Sequence, residues 1–584
     1  MSLSAVGLTG LLVTLGVYGW RLQDVNGATW RLAGAVEMKR CVNVNAQRGL
    51  ITDRHDTPLA ANTGLEDVYA VPALIRTDTV AQSHLAAALG TSPAQLHQLL
   101  AGTPATQLAL RVAELPQPAA DRVAQSAVRG LFVTPAPRRV YPSGPLLGPA
   151  LGFVGVSTPA DQRRWAGLPP GELVGRTGLE EMYDPILRGV DGQQCVYVNP
   201  AGVPVAMAAR RDAVPGANVR LSIDLGLQQA LTASLGSAMA VAHGDLGGAV
   251  VMDPHSGEVL AMASLPSFDN SAYGPPLDSA ALSQAQHAPG NPMLEHVTQV
   301  VAPPGSTFKL VVASTDMVYR VVRPEQVVPT GATFTLGDHT FNNWKPLGPM
   351  NLIDSIAWSN DVYFYKLALA LGPDRIYQIG SDLGVGRPTG IDLPGESAGY
   401  FGSPTSVRRI GAKWYPASTV ILGIGQGYLD VTPLQNARWT AAVATGVLAV
   451  PHLGLAYGRA AEPYLSLPQP AASPLPFAAA LGPVRAGMRQ AVVGGTSSIL
   501  GNLPVPAAAK SGTAQDPASV GGASDAWLSA VAPFDNPEIE VTSLVRSGGF
   551  GAETSGPVVD QAMQYFFAHR AQIVATAPLA ARQP

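Results

Sequence analysis

Ser306 and Lys309 stand three residues apart in Pro303-Pro304-Gly305-Ser306-Thr307-Phe308-Lys309-Leu310. Proline and glycine sit poorly inside a helix, so the spacing predicts a helix that begins at or just after Gly305 and runs through the largely apolar stretch 307–318. At i, i+3 the two side chains share one helix face, where a lysine amine can take the proton of a serine hydroxyl. The positive end of the helix disfavours a protonated lysine and favours an oxyanion. That is the chemistry of an acyl-transferring serine with a lysine base. A serine that caps a helix, with a solvated lysine one turn on, is an ordinary surface arrangement, so the pair alone decides little. Composition adds weight. Only six of the 37 basic residues are lysines, and arginine cannot give up its proton to act as a base.

Two further elements follow in order. Ser359-Asn360-Asp361 opens an aromatic, apolar stretch, and Lys510-Ser511-Gly512-Thr513 follows the short apolar run 505–509, which suits a strand. S-x-x-K, S-x-[ND] and K-[ST]-G, in this order and about 50 and 150 residues apart, resemble the signature of the penicillin-recognising serine transferases. The resemblance covers most of the chain. Residues 248–254 and 257–264 read as a hairpin that looks like the first strands of a penicillin-binding transpeptidase domain, and 526–533 looks like the strand beside K-S-G. Gly425-Gln426-Gly427-Tyr428 resembles a further family signature whose glycines serve a turn. Arg48-Gly49-Leu50-Ile51, Tyr141-Pro142 and 175–180 resemble the non-catalytic module of class B penicillin-binding proteins, as turn-shaping residues without chemistry. Phe341-Asn342-Asn343-Trp344-Lys345 and 361–365 look more like the cell-elongation type than the septal division type. Glu295-His296-Val297-Thr298 departs from the Asn-Arg-Ala that relatives usually show there.

The resemblance implies a peptidoglycan D,D-transpeptidase that crosslinks stem peptides ending in D-Ala-D-Ala, with no metal or organic cofactor. It makes Ser306 the nucleophile, Lys309 its proton acceptor and Ser359 a proton relay towards the leaving group. Lys510 would add a second positive charge that lowers the proton affinity of Lys309 and draws in a substrate carboxylate. Ser511 and Thr513 would hold the terminal carboxylate, and Gly512 would let an extended peptide lie against the strand edge. Asp361 is counted with these substrate contacts, although many relatives carry Asn there. The backbone N–H groups of Ser306 and Thr513 would form an oxyanion hole. β-Lactams would acylate Ser306, and a SEDS-type membrane glycan polymerase would be a partner. The rivals are a D,D-carboxypeptidase or β-lactamase, in which water resolves the acyl-enzyme, and a non-catalytic peptidoglycan-binding scaffold.

Other patterns carry less. Gly395-Glu396-Ser397-Ala398-Gly399 matches a nucleophile elbow by letter, but Pro394 before it and Gly402-Ser403-Pro404 after it predict a loop. The ten histidines show no metal-ligand spacing. Cys41 and Cys195 fit neither a disulfide framework nor a zinc site; sequence leaves open a pairing outside the cytoplasm, and two free thiols are the favoured expectation.

The elements that must position these groups need room. A chain of 584 residues, 47% apolar and 13% charged, implies two or three domains with sizeable cores. A net charge of −4 without a basic stripe excludes nucleic-acid binding. Leu3–Trp20 is an uncharged 18-residue stretch, read as an uncleaved transmembrane signal anchor in the lipid bilayer. Its basic flank (Arg21, Arg31, Lys39 and Arg40) would by itself put the body in the cytoplasm. The resemblance puts it on the extracytoplasmic, periplasmic side. The expected organisation is an anchor at 1–22, an extended non-catalytic pedestal at 23–216 and a disordered tail at 572–584. Between them, at 217–571, an α/β (α+β) transpeptidase domain should hold an antiparallel sheet flanked by helices.

Overall fold

Runs of small and branched apolar residues broken by Pro/Gly turns become the strands of one five-stranded sheet in a computed structural model. The model describes residues 3–25, 38–126, 128–136, 138–165, 168–169, 171–274, 277–459, 462–515 and 522–575. The strands are β1 (Leu246–Met252), β2 (Val259–Leu265), β3 (Ala508–Gln515), β4 (Ser524–Ala532) and β5 (Ile539–Arg546). Their order is β2-β1-β5-β4-β3, and every neighbouring pair is antiparallel. The hairpin β1–β2 and the pairing of β4 beside the Lys510 strand match expectation. β3 closes one edge of the sheet.

Side chains alternate across the sheet, and each face has its own helices. The helices are α1 (Leu225–Ala242), α2 (Lys309–Tyr319), α3 (Asp361–Leu371), α4 (Pro433–Thr445) and α5 (Gly551–Val574). Ala526, Leu528 and Ala530 of β4 pack with Leu231 and Leu235 of α1 and with Met563 and Phe566 of α5. Trp527 and Val531 point the other way, into a cluster with Phe308, Phe364 of α3 and Trp439 of α4. Two helix starts are fixed by side-chain caps. Asn360 accepts from Tyr363 N–H at the head of α3, and Thr432 with Gln435 forms a capping box on α4.

The chain divides into two compact units that are discontinuous in sequence. One holds Met1–Arg48, Asn62–Arg138 and Arg188–Gly216; the other holds Gly49–Ala61, Arg139–Leu187 and Ala217–Pro584. The first contains two three-stranded sheets. In one of them, Lys39–Val44 pairs antiparallel with Gly192–Val198, and Cys41 falls directly opposite Cys195. The two form a disulfide, which corrects the expectation of free thiols. A sequence separation of 154 hid a pairing that only strand register creates. In the second unit, Arg139 and Glu180 form an ion pair with both side chains fully buried, a structural role for the 175–180 stretch.

Three other expectations are resolved locally. Residues 395–399 are a loop, and the Glu396 carboxylate accepts from the backbone N–H groups of Thr389 and Gly390. Helix α5 continues to Val574, so 572–574 are helical, and 576–584 lie outside the described residues. Leu3–Trp20 is helical, yet among the described residues no helix is long and apolar enough to cross a membrane.

Candidate active site

The turn bearing Ser306 is held by its backbone and by glycines that let neighbours approach. Trp527 Nε1 donates to Pro303 O at 2.9 Å, and Gly305 N donates to Gly425 O at 3.0 Å. A Cβ on Gly425 would lie 2.1 Å from Gly305 O. One on Gly512 would lie 2.8 Å from Pro304 O and 3.1 Å from Thr307 Cγ2, so Gly512 is required by the approach of the serine turn to β3. The predicted helix is present, but its first turn, Gly305–Phe308, is 3-10, and α2 begins at Lys309. In a 3-10 turn residues i and i+3 eclipse, so Ser306 and Lys309 still share a side.

Lys309 is fully buried. Its Nζ donates to Ser359 O at 2.8 Å, to Ser359 Oγ at 3.2 Å and to Asp361 Oδ1 at 2.6 Å. Lys510, also fully buried, donates from Nζ to Ser359 Oγ at 3.0 Å and to Ser511 O at 2.7 Å. Ser359 itself adopts φ +56°, a left-handed conformation that costs a non-glycine residue energy and here turns its hydroxyl between two amines. Burial pulls the Lys309 amine below the usual lysine range, and the Asp361 carboxylate opposes this. Lys510 is held well below it, first by burial and then by the charge of Lys309. Two amines that shed protons easily, bridged by one hydroxyl, can move a proton between a nucleophile and a leaving group.

Ser306, Ser359, Asp361, Ser511 and Thr513 line one cleft of about 770 Å³, and the fully buried Lys309 and Lys510 both donate to the Ser359 hydroxyl in its lining. Ser306 is half-buried at its wall. The open edge of β3 forms one side, carrying Ser511, whose hydroxyl donates to Thr496 Oγ1 at 2.8 Å. Thr513 Oγ1 accepts from Gly551 N–H at the head of α5, which leaves its own hydrogen for another acceptor. Glu295 and His296 are buried and do not line the cleft. Reading by motif missed two groups that hold Asp361. Asn343 Oδ1 accepts from Asp361 N–H at 3.1 Å, and Trp344 N–H donates to Asp361 Oδ2 at 3.2 Å. Both belong to the 341–345 stretch that had marked only the family branch.

An antiparallel sheet whose edge strand carries K-S-G, facing a serine three residues before a buried lysine at a helix start, defines a penicillin-recognising transferase. The family described as penicillin binding protein transpeptidase domain matches residues 247–564, and the penicillin-binding protein dimerisation domain matches 43–221. The chain belongs to that transpeptidase family, in its class B, elongation-type branch. It is 30% identical to the peptidoglycan D,D-transpeptidase MrdA of Haemophilus influenzae, over 96% of this chain and 90% of that protein. It is similar to penicillin-binding protein PBP2 of Helicobacter pylori in its complex with MreC (TM-score 0.73, 26% identity), covering 91% of this chain and 99% of that one. It is also similar to a chain of a peptidoglycan synthase complex that coordinates polymerisation and crosslinking. That match has a TM-score of 0.71 and 27% identity, and covers 99% of each chain.

Proposed function

We propose that this chain is a peptidoglycan D,D-transpeptidase that crosslinks stem peptides through an acyl-enzyme on Ser306. The convergence of Lys309 and Lys510 on the hydroxyl of Ser359, which lines the same cleft as Ser306, carries the reading. A donor peptide ending in D-Ala-D-Ala lies along the edge of β3, its terminal carboxylate against the Ser511 and Thr513 hydroxyls. Ser306 Oγ attacks the penultimate carbonyl as Lys309 accepts its proton. The oxyanion is met by the N–H groups of Ser306 and Thr513. The C–N bond breaks, and the departing D-Ala amine takes its proton through Ser359. An amine of a neighbouring stem then attacks the ester, gives its proton back along the same line and frees Ser306. A β-lactam enters by the same first step and stays attached.

The module at 23–216 is read as a non-catalytic pedestal for the domain at 217–571. The uncharged Leu3–Trp20 stretch is read as its anchor, with the catalytic domain in the periplasm. The Cys41–Cys195 disulfide supports an oxidising compartment. The synthase-complex relative supports a SEDS-type membrane glycan polymerase as partner.

Fluorescent penicillin followed by mass spectrometry of the labelled peptide tests the nucleophile. The label is expected on Ser306 and lost in Ser306→Ala; label retained by that variant refutes the assignment. A penicilloyl adduct lasting many minutes is expected of a transpeptidase, and rapid turnover would make the chain a hydrolase.

A further inference from the structure

A line of buried polar side chains outside the sequence motifs ends beside the nucleophile. Thr307 follows Ser306, and its Oγ1 donates to Pro304 O at 2.9 Å and accepts from Asn436 Nδ2 at 3.0 Å. Asn436 Oδ1 accepts from Ser529 Oγ at 3.2 Å, and Ser529 Oγ lies 2.8 Å from Thr542 Oγ1. Thr542 Oγ1 lies 2.6 Å from Glu540 Oε1. All five residues are 0% exposed. They come from the serine turn, α4, β4 and β5, so the line spans the space between α4 and the sheet.

Counting hydrogens gives the line a direction. The Thr307 hydrogen goes to Pro304 O, so its oxygen must accept from the Asn436 amide. Asn436 Oδ1 then needs the Ser529 hydrogen, and Ser529 needs the Thr542 hydrogen. Thr542 is left with only an acceptor to offer, and the partner remaining is Glu540, which must bring a proton. Burial independently pushes the Glu540 carboxyl well above its usual range. Its second oxygen has no hydrogen-bond partner among the described residues, as suits a neutral acid rather than a buried anion.

We propose that Asn436 is a positioning residue for Ser306, holding Thr307 and with it the serine turn through a line of hydrogen bonds that starts at Glu540. This rests on the reading of Ser306 as the nucleophile. The turn needs such support. The start of α2 has no side-chain cap, and the Thr307 N–H to Pro304 O contact is long, at 3.4 Å. The Thr307 hydroxyl closes the turn, and Asn436 fixes where that hydroxyl points. A small displacement of a reacting oxygen costs far more in rate than in stability.

The test uses the full chain in detergent and a fluorescent penicillin, resolving non-covalent Kd, the acylation rate constant and the fraction of molecules labelled. Asn436→Leu is expected to slow acylation roughly 10- to 100-fold with Kd little changed. Thr307→Val, which removes the same link with almost no change of volume, should match it and serves if the leucine variant folds poorly. Glu540→Gln keeps a neutral donor and should stay within about twofold of wild type, whereas Glu540→Met should slow acylation. A wild-type rate constant in both Asn436→Leu and Thr307→Val overturns the proposal. So does a loss confined to the labelled fraction, which reports misfolding alone. A wild-type chain that takes no label on Ser306 overturns the nucleophile itself, and the positioning role with it.

Discussion

Lys309 and Lys510 share one hydrogen-bond partner, the Ser359 hydroxyl, at 3.2 and 3.0 Å. Two fully buried ammonium groups so close repel each other strongly, so the second proton is held weakly. Asp361, at 2.6 Å from Lys309 Nζ, raises the proton affinity of that amine against its burial. The carboxylate opposes the depression of Lys309, and Lys510 is the more depressed of the two. The Ser359 hydroxyl, in contact with both, offers a path by which a proton can pass between them. Ser359→Ala should leave the fold intact and lower the acylation rate constant about 10²- to 10⁴-fold, as removal of a proton-transfer group does. Stopped-flow fluorescence with a labelled penicillin, paired with circular dichroism, measures both.

Asp361→Asn separates charge from shape. The carboxylate raises the proton affinity of Lys309, and it does the same for Lys510, so a neutral amide should lower both. Each amine then becomes a free base at lower pH. The acid limb of the acylation profile should move down in pH, and the shift should be read in the rate constant rather than in Kd. A limb that stays in place, or moves up, would mean that neither lysine is the proton acceptor.

The grouping of these side chains was legible because three short motifs keep fixed spacings along the chain, and strand and helix periods place them. The β1–β2 hairpin and the helix after Ser306 follow from local pattern, and the antiparallel sheet follows from the family resemblance. What escaped depends on folded contacts between distant residues. Asn343 and Trp344 orient Asp361 from a loop 18 and 17 residues away in sequence, and their types carry no chemical signature. Asn436 meets Thr307 across 129 residues. Gly512 was expected to clear space for a peptide, whereas the atoms that a Cβ there would strike belong to the serine turn and Trp527. Cys41 and Cys195 face each other only because two strands pair in one register.

That disulfide should matter to stability and not to catalysis. Closing so long a loop restricts the unfolded chain, and losing a native bridge typically costs roughly 2–5 kcal/mol. The double variant Cys41→Ser, Cys195→Ser should unfold at a lower temperature in calorimetry and still take penicillin on Ser306 at the wild-type rate. Thiol titration of the denatured, unreduced wild-type chain should find no free thiol. Two reactive thiols would show that the bridge does not form.

Glu295 should make the fold less stable as pH rises, independently of the site. Its carboxyl is buried and accepts from the Ser264 hydroxyl and from Val297 N–H at 3.2 Å. Burial pushes it up to about 7 from an ordinary 4.5, with the two hydrogen bonds opposing. Between those values the folded chain keeps a proton that the unfolded chain has released, so stability falls as pH climbs through the window and stays lower above it. The full loss for such a shift is on the order of 3 kcal/mol. Glu295→Gln removes the titration and retains the size. Urea unfolding midpoints at pH 5 and pH 8 should therefore drop further in wild type than in the glutamine variant, while penicillin acylation is unaffected. Equal drops in the two proteins would show that the Glu295 carboxyl does not hold its proton through that range.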